Sequence, residues 1–270
     1  MRALRSGAAG LALLALLGSS RPAAACGYGG IASPLERFAL ADCVVVGKIT
    51  RYDDRTVRTS SPDGRQPMDY RVAVVKVEEM LKGDGRLTHV RIGMASTQMI
   101  QPGYAACFFL TEHPLESFYL QGADLYDFAI PKNQSNFAAQ VASFRQMGRL
   151  LADPVAGLKA QRAEDRLLTA AMVLARARTF RAQSHVAANK TEPLDAQTSA
   201  LVLKALAEAD WNKSLGFRMN AWRLFNLLGV TAQDGWNPAG LRTTPELYAA
   251  AKQWLGARQE NYRIAAYVRR

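Results

Sequence analysis

The chain has 270 residues, of which 49% are hydrophobic and 21% charged, and its formal net charge is +11. This composition is typical of a globular protein with a sizeable core, so it argues against a largely disordered chain. A basic chain favours acidic partners such as anionic lipid surfaces, acidic polysaccharides or nucleic acid. Because the lysines and arginines form no long run, the sequence gives no support to nucleic-acid binding.

The first 25 residues predict a secretory signal peptide. Arg2 and Arg5 precede an apolar run at 7–18, and three alanines at 23–25 stand immediately before Cys26. This run is too short to cross a bilayer, which needs about 20 apolar residues. We therefore expect residues 1–25 to be removed and the mature chain to begin at Cys26, secreted or periplasmic. Their removal lowers the formal charge from +11 to +8.

Three cysteines remain in the mature chain, at Cys26, Cys43 and Cys107. In an oxidising compartment they allow at most one internal bridge, and three pairings exist. We favour Cys26–Cys107, which would tie the new N-terminus to a strand, with Cys43 as a small buried hydrophobe. Lipidation of Cys26 is the alternative, although Ala23 stands where a lipobox usually has leucine. A membrane partner is expected only in that case.

Residues 26–133 predict a module made mainly of strands. It opens with a short helix, where Ser33 and Glu36 form a capping-box signature around Pro34. The strand segments that follow are short, separated by turn residues, and partly alternate apolar with polar side chains. They are 43–52, 70–77, 87–94, 104–111, 118–121 and 126–130, with a polar loop at 53–67. This pattern favours a small antiparallel barrel or sandwich.

Residues 134–270 predict a helical module, so the predicted fold class is α+β. The helices follow apolar stripes and cap signals, and they span 137–153, 153–159, 164–178, 195–209, 217–228 and 244–256. The polar stretch 183–194 is predicted to be a loop. A similar segment recurs at 158–160 and 203–205, an offset of about 45 residues that is in the range of HEAT-type hairpins. An Ala/Leu-rich bundle explains the pattern nearly as well.

Four segments of the strand module occur in the order seen in netrin-like domains. They are Cys26, 41–49, 77–83 and 103–110. The module therefore resembles these domains, the OB-type barrels related to tissue inhibitors of metalloproteinases, and the resemblance implies a small antiparallel OB-like barrel. Through 33–38, 207–211 and 234–236 the mature chain is also similar to a group of uncharacterised secreted proteins of planctomycete bacteria, which implies no activity.

The resemblance implies one specific role for the mature N-terminus. In the inhibitor family an N-terminal cysteine presents its amine and carbonyl to the catalytic zinc of a protease, at the open coordination position. Carried onto this chain, Cys26 would be that residue, held in place by the Cys26–Cys107 bridge. The sequence departs from the family at Gly27 and Tyr28, because the second cysteine of Cys-x-Cys is missing and Gly27 has no side chain for a specificity pocket.

The sequence predicts no catalytic site, no metal and no cofactor. The histidines His89, His113 and His185 are predicted on a strand, at a strand end and in a loop. No zinc-protease, nucleophile-elbow or P-loop motif accompanies them. An unrecognised hydrolase is the third function considered, and it would need a deep pocket with convergent titratable groups.

Aromatic residues are the candidate binding residues. Tyr119 and Tyr126 fall in the later strands of the predicted barrel, where OB-type barrels often bind ligands. Trp211 and Trp236 fall in predicted loops, where they either contribute to an exposed partner or carbohydrate patch or cap the helices, whereas Trp222 is predicted to be core. The predicted function is non-catalytic binding of an envelope or extracellular protein, or of an anionic polymer. Metalloprotease inhibition through the N-terminal cysteine is the alternative.

Overall fold

The computed structural model describes residues 33–61, 66–95, 100–121, 129–179, 190–215 and 219–268. Within these residues the chain is mixed α+β, with strands dominating the first half and helices the second, which confirms the predicted fold class at this level. The predicted signal peptide, Cys26, Tyr126 and His185 lie outside the described residues.

Seven strands of the described chain form one sheet, and two more form a separate pair. The sheet strands are β1 (Cys43–Tyr52), β2 (Val57–Ser60), β3 (Pro67–Lys82), β4 (His89–Ala95), β5 (Ala105–Glu112), β6 (Tyr119–Gln121) and β7 (Ala129–Pro131). The separate pair is β8 (Thr191–Pro193) with β9 (Ala265–Tyr267). Two of these strands lie in stretches predicted to be loops, since β2 pairs with the start of β3 inside 53–67 and β8 falls inside 183–194.

Five of the sheet strands close into a ring. The pairing runs β1–β3–β4–β6–β5 and returns from β5 to β1. The expected antiparallel arrangement is wrong at one position, because β4 and β6 run parallel, with Ile92 opposite Tyr119 and Gly93 opposite Leu120. The physical reason is parity: five strands cannot alternate direction all the way round a ring, so one neighbouring pair must run parallel.

Alternate residues of β1 and β5 serve two different cores. Cys43, Val45 and Phe108 pack inside the ring, whereas Val44 and Phe109 belong to the cluster that includes the helices. Because successive side chains of a strand point to opposite faces, both faces of these two strands are buried. This explains why β1 begins with a continuous apolar run instead of an alternating pattern.

The helices of the described chain begin and end close to the predicted positions. They are α1 (Pro34–Leu40), α2 (Phe137–Ala152), α3 (Pro154–Leu158), α4 (Ala163–Arg178), α5 (Ala196–Glu208), α6 (Ala221–Leu228) and α7 (Thr244–Arg258). The predicted capping box of α1 is present, with reciprocal bonds between Ser33 and Glu36. α6 begins at Ala221 instead of 217, capped by Asn220, and ends at Leu228; its C-cap is Gly229, whose φ of +68° is unstrained for glycine.

The sheet and the helices share one continuous hydrophobic core. α4 lies at its centre, since it packs against α1, α3, α5 and α6 and buries most of its residues. Its middle, 167–175, is apolar apart from Thr169, and a helical stretch that is apolar on nearly all sides belongs in an interior. α1 joins the same layer although it precedes the first strand, because Phe38 stacks on Phe144 of α2 with ring centroids 5.7 Å apart. Phe118 and Leu120 cover the outer face of β3 at Tyr70 and Val72, and this face is open to the solvent further along, at Lys76 of β3 and His89 of β4.

Candidate functional site

Basic side chains form a row on the outer face of β1, β3 and β4. The strand register places Lys48 opposite Lys76, and Lys76 opposite His89. All three residues are exposed, and neither lysine has a carboxylate partner among the described residues. Like charges directly opposite each other destabilise a sheet. The row therefore costs stability that the fold does not recover through local ion pairs.

Arg51 and Arg91 form a second row beside the first, with Val74 between them. The register of β1 shifts between Ile49 and Arg51 and so accommodates one extra residue, Thr50. Such a bulge redirects side chains, and here it brings Thr50 and Arg51 to the same cleft. The rows are about 7 Å apart, since each residue advances a strand by about 3.4 Å.

We call the surface formed by both rows the basic face; its members are Lys48, Arg51, Lys76, His89 and Arg91. Asp53, the first residue after β1, supplies a carboxylate at its edge. The Oδ2 atom of Asp53 accepts from Nη2 of Arg91 at 2.8 Å and from its Nε at 3.3 Å, and Oδ1 accepts from Nη1 of Arg51 at 3.0 Å. One carboxylate therefore holds together two guanidinium groups from different strands.

Arg91 is held from a second side by the loop between β5 and β6. Its Nη1 donates to Oγ of Ser117 at 3.1 Å. A guanidinium has five N–H donors, and Asp53 and Ser117 together accept from three of them. Within the described part of the chain the remaining two have no partner, and Arg91 lines the cleft. These donors are available to a ligand.

A cleft of about 350 Å³ opens between these side chains. Its lining consists of Thr50, Arg51, Asp53, Val74, His89 and Arg91. The volume is at the small end of the range of roughly 300–1,000 Å³ that ligand pockets occupy. Val74 supplies an apolar surface between the two arginines.

The lining of the cleft contains neither of two common catalytic arrangements. Its carboxylate is bonded to two guanidinium groups, and His89 has no serine, cysteine or second carboxylate beside it in the lining. Neither a nucleophile with its base nor an acid–base carboxylate pair is therefore formed there. Among the described residues, no group of three or more His, Cys, Asp or Glu could hold a metal ion.

The aromatic residues predicted to bind ligands occupy other positions. Tyr119 is half-buried against the interior of the ring, where burial, followed by Cys43 and Glu112, raises its pKa to about 12. Trp211 is only 3% exposed, and its Nε1 donates to the carbonyl oxygen of Leu206 at 2.8 Å. Of the two predicted alternatives, burial excludes an exposed patch at Trp211 and favours packing on the helices.

Trp211 and Trp236 do come together, but around a core residue. Trp236 packs edge-on against Phe225 of α6 with ring centroids 4.8 Å apart, and Trp211 lies 5.9 Å from the same ring. Trp236 is half-buried. Trp211 is buried because the segment after α5 folds back, so that its ring also contacts Trp222 of α6 and Tyr248 of α7. Both tryptophans thus hold helices together.

The two described cysteines, Cys43 and Cys107, are buried and are not bridged to each other. Cys43 is buried, as predicted; it packs inside the ring, and its Sγ lies 3.8 Å from Sδ of Met80. Burial raises the pKa of Cys43 and of Cys107 to about 12, which makes both thiols poor nucleophiles. Because Cys26 lies outside the described residues, the Cys26–Cys107 bridge stays a prediction.

Sequence reasoning missed most of the basic face. It did not single out Lys48, Arg51, Lys76 or Arg91, and it placed Asp53 only as the start of a polar loop. The available signal was the alternation of polar and apolar residues along each strand, which places Lys76 and Arg91 on the polar side. Their meeting in rows depends on strand register, which the sequence alone does not specify.

A second cleft, of about 330 Å³, lies between the end of β3 and the helices α2 and α4. It is lined by Met80, Leu81, Lys82, Gly83, Gly85, Gly148, Leu151, Ala152 and Arg176. Nζ of Lys82 donates to backbone carbonyl oxygens of Phe38, Ala39 and Ala41. This lysine therefore stabilises the C-terminal end of α1.

No known protein family and no curated protein sequence matches this chain. In the part of the chain that the structure describes, no helix is both long enough and apolar enough to cross a membrane.

Proposed function

We propose that this protein is a non-catalytic binding protein that holds an anionic polymer on its basic face, outside the cytoplasm. The row Lys48–Lys76–His89 is the observation that carries the proposal. Repulsion between side chains in this row costs stability in the free protein, and the negative charges of a bound polymer would relieve that cost. The predicted signal peptide supports a location where acidic polysaccharides are met.

We further propose that the five-stranded ring is an OB-type barrel supported by a bundle of helices around α4. The resemblance to netrin-like domains supports this, and so does the closure of the ring. OB-type barrels bind oligonucleotides and oligosaccharides on their second and third strands, and in the loops between strands one and two and between strands four and five. In the ring the second and third strands are β3 and β4. Asp53 and Ser117, which both bond Arg91, lie in those two loops.

An anionic polymer fits the basic face better than a folded protein partner does. The cores of protein–protein interfaces are depleted of charged residues and enriched in aromatic ones. The basic face has the opposite composition, with four cations and a histidine around one carboxylate. Elsewhere in the described chain Leu115 stands out as an exposed large hydrophobic residue, at 70%, and single exposed apolar residues are ordinary on protein surfaces.

Retention on an immobilised polyanion tests the proposed function. We expect the mature protein to be retained by dextran sulfate at low salt and released as salt increases, because ions screen exposed charges over about 10 Å at 0.1 M. The double variant Lys48→Gln/Lys76→Gln should elute at lower salt, with its affinity reduced roughly tenfold or more, since each lysine near an anionic surface contributes about 1 kcal/mol.

Lys190→Gln/Lys204→Gln is the matched control, because it removes the same charge from the helical half. Lys190 pairs with Glu192 at 3.3 Å and Lys204 with Glu208 at 3.8 Å, away from the basic face. An equal loss of affinity in both double variants would show that binding follows net charge, and it would refute the basic face as the site. If the unaltered protein is not retained even at low salt, the proposed function is refuted.

A further inference from the structure

We infer that the cleft between Arg51 and Arg91 is a subsite for one sugar unit of a uronic-acid polysaccharide, and that Asp53 makes the cleft prefer this chain to other polyanions. The inference rests on the proposed function and names the ligand class for the same site. Its starting point is the position of Asp53, a carboxylate bonded to two of the cations that would attract the polymer.

A surface that only attracts negative charge gains nothing from a carboxylate beside its cations. The Asp53 side chain is 24% exposed and lines the cleft. It accepts three N–H bonds, one from Arg51 and two from Arg91. A carboxylate has about four lone-pair sites, so one acceptor site remains for a donor in the cleft. Asp53 therefore repels a bare anion but can accept a hydrogen bond from a hydroxyl group.

The arginines supply the complementary donors. Arg91 keeps two N–H groups without a partner in the described chain, and the guanidinium of Arg51 is mostly exposed. A planar guanidinium matches the geometry of a carboxylate and binds it through charge-assisted hydrogen bonds. Donors for a carboxylate and an acceptor for a hydroxyl therefore lie side by side.

A uronic-acid sugar carries both matching groups on one ring. Its carboxylate would accept from Arg51 and Arg91, and a ring hydroxyl would donate to Asp53. The apolar side chain of Val74 lies between the two arginines, where it would face the C–H groups of the ring. Polyphosphate, by contrast, has anionic oxygens but no hydroxyl donors along its chain. Asp53 would therefore repel it and would form no hydrogen bond with it.

The first row of the basic face would hold the continuing chain. Lys48, Lys76 and His89 lie about 7 Å from the cleft row, which is two residues along the strands. Lysines are compact charges on flexible stems and bind anions with little geometric preference. The lysine row thus supplies general attraction, and the cleft supplies the preference for one chemistry.

The variant Asp53→Asn separates these two contributions when its affinity is measured for two probes at one ionic strength. The probes are polygalacturonate oligomers and polyphosphate of similar total charge, measured by isothermal titration calorimetry. We expect polygalacturonate to bind about tenfold more weakly, because a hydrogen bond to a charged acceptor is lost and Arg91 loses its anchor. We expect polyphosphate to bind about threefold more tightly, because one repulsive charge is gone.

Asp54→Asn is the matched control, since Asp54 is exposed, adjacent in sequence and absent from the lining of the cleft. It should tighten the binding of both probes slightly and equally. Ser117→Ala removes a bond to Arg91 without changing any charge, and it should weaken polygalacturonate binding about threefold while leaving polyphosphate binding unchanged. If Asp53→Asn instead tightens the binding of both probes, as is expected for Asp54→Asn, the inference is overturned while the proposed function stands. Failure of the unaltered protein to bind either probe would overturn both.

Discussion

Arg223 of α6 donates from Nη2 to Oε1 of Glu36 at 3.1 Å, across 187 positions of the chain. The other carboxylate oxygen of Glu36, Oε2, accepts the backbone N–H of Ser33 at 2.8 Å and so closes the capping box of α1. One carboxylate therefore starts the first helix and joins it to the helical half. This bond and the packing of α1 on α4 join the N-terminal helix to the helices of the second half of the chain.

We expect Glu36→Gln to lower the free energy of unfolding by about 1 kcal/mol, because the amide oxygen of glutamine accepts the capping bond more weakly than a carboxylate does and the ion pair is lost. Arg223→Gln should cost about 0.5 kcal/mol, since a half-exposed ion pair contributes little. Urea unfolding followed by circular dichroism measures both. Arg242→Gln replaces an exposed arginine and should leave stability unchanged. A larger loss for Arg223→Gln than for Glu36→Gln would contradict the double role of Glu36.

Lys82 makes a second connection to α1, at the opposite end of that helix. Its Nζ donates to the carbonyl oxygens of Phe38, Ala39 and Ala41, which lie where a helix leaves carbonyl groups without partners. Lys82→Met keeps the length of the side chain but removes the donor, and it should lower the free energy of unfolding by about 2–3 kcal/mol. Chemical denaturation measures the change, with Lys76→Met as the control on the same strand. Equal effects of the two variants would show that Lys82 acts merely as a surface cation.

The helix boundaries were predictable because their signals are local. The start of α1 follows from Ser33, Pro34 and Glu36, which lie within one turn, and Gly229 marks the end of α6 by the same kind of signal. The bonds that join α1 to Arg223 and Lys82 connect residues far apart in sequence. No local pattern encodes such a contact, so the merging of α1 into the helical layer could not be predicted.

The basic face lay beyond sequence reasoning for a related reason. Alternation places Lys76 and Arg91 on the polar side of their strands, but register decides which residues they oppose. A slip of one residue would turn each strand over and send its charges into the ring. The bulge at Thr50 also shifts the register of β1 by one residue, and no turn residue in the sequence marks its position. The sequence could not decide the position of Trp211, because a short loop can either expose its aromatic ring or fold it back onto neighbouring helices, as happens here.

His113 fixes the loop that carries Ser117. It is buried, its Nδ1 accepts the backbone N–H groups of Leu115 and Glu116 at 3.1 Å each, and its Nε2 lies 3.2 Å from the carbonyl oxygen of Ser60. These partners assign the ring proton to Nε2. His113→Phe fills the space without making these bonds, so it should lower the free energy of unfolding by about 2–3 kcal/mol.

Because Ser117 bonds Arg91, His113→Phe should also weaken binding at the cleft under conditions where the variant is folded. Thermal unfolding and calorimetry with polygalacturonate measure the two effects. His89→Gln is the control for stability, since His89 is exposed and its loss should change the free energy of unfolding by less than about 0.5 kcal/mol. Full stability of His113→Phe would show that the three backbone groups find other partners.

The thiols of Cys43 and Cys107 should be unreactive in the folded protein. Burial raises the pKa of each from 9.0 to about 12, and only the thiolate is a good nucleophile. At pH 8 each therefore has about a thousandfold less thiolate than an unperturbed cysteine. We expect iodoacetamide to leave both residues unmodified in the native state and to alkylate every unbridged cysteine in denaturant. Alkylation of Cys43 or Cys107 in the native state would contradict their burial.

The same alkylation, read by intact mass and peptide mapping, decides the cysteine pairing. Cys43 faces the interior of the ring and Cys107 faces the helices, so a bridge between these two would have to cross from one face of the sheet to the other, and we do not expect it. In denaturant without reductant, a Cys26–Cys107 bridge leaves one adduct, on Cys43, and reduction then gives three. Three adducts before reduction would refute any bridge. A single adduct on Cys26 would show that the two buried thiols pair, and it would contradict the separation of the two cores.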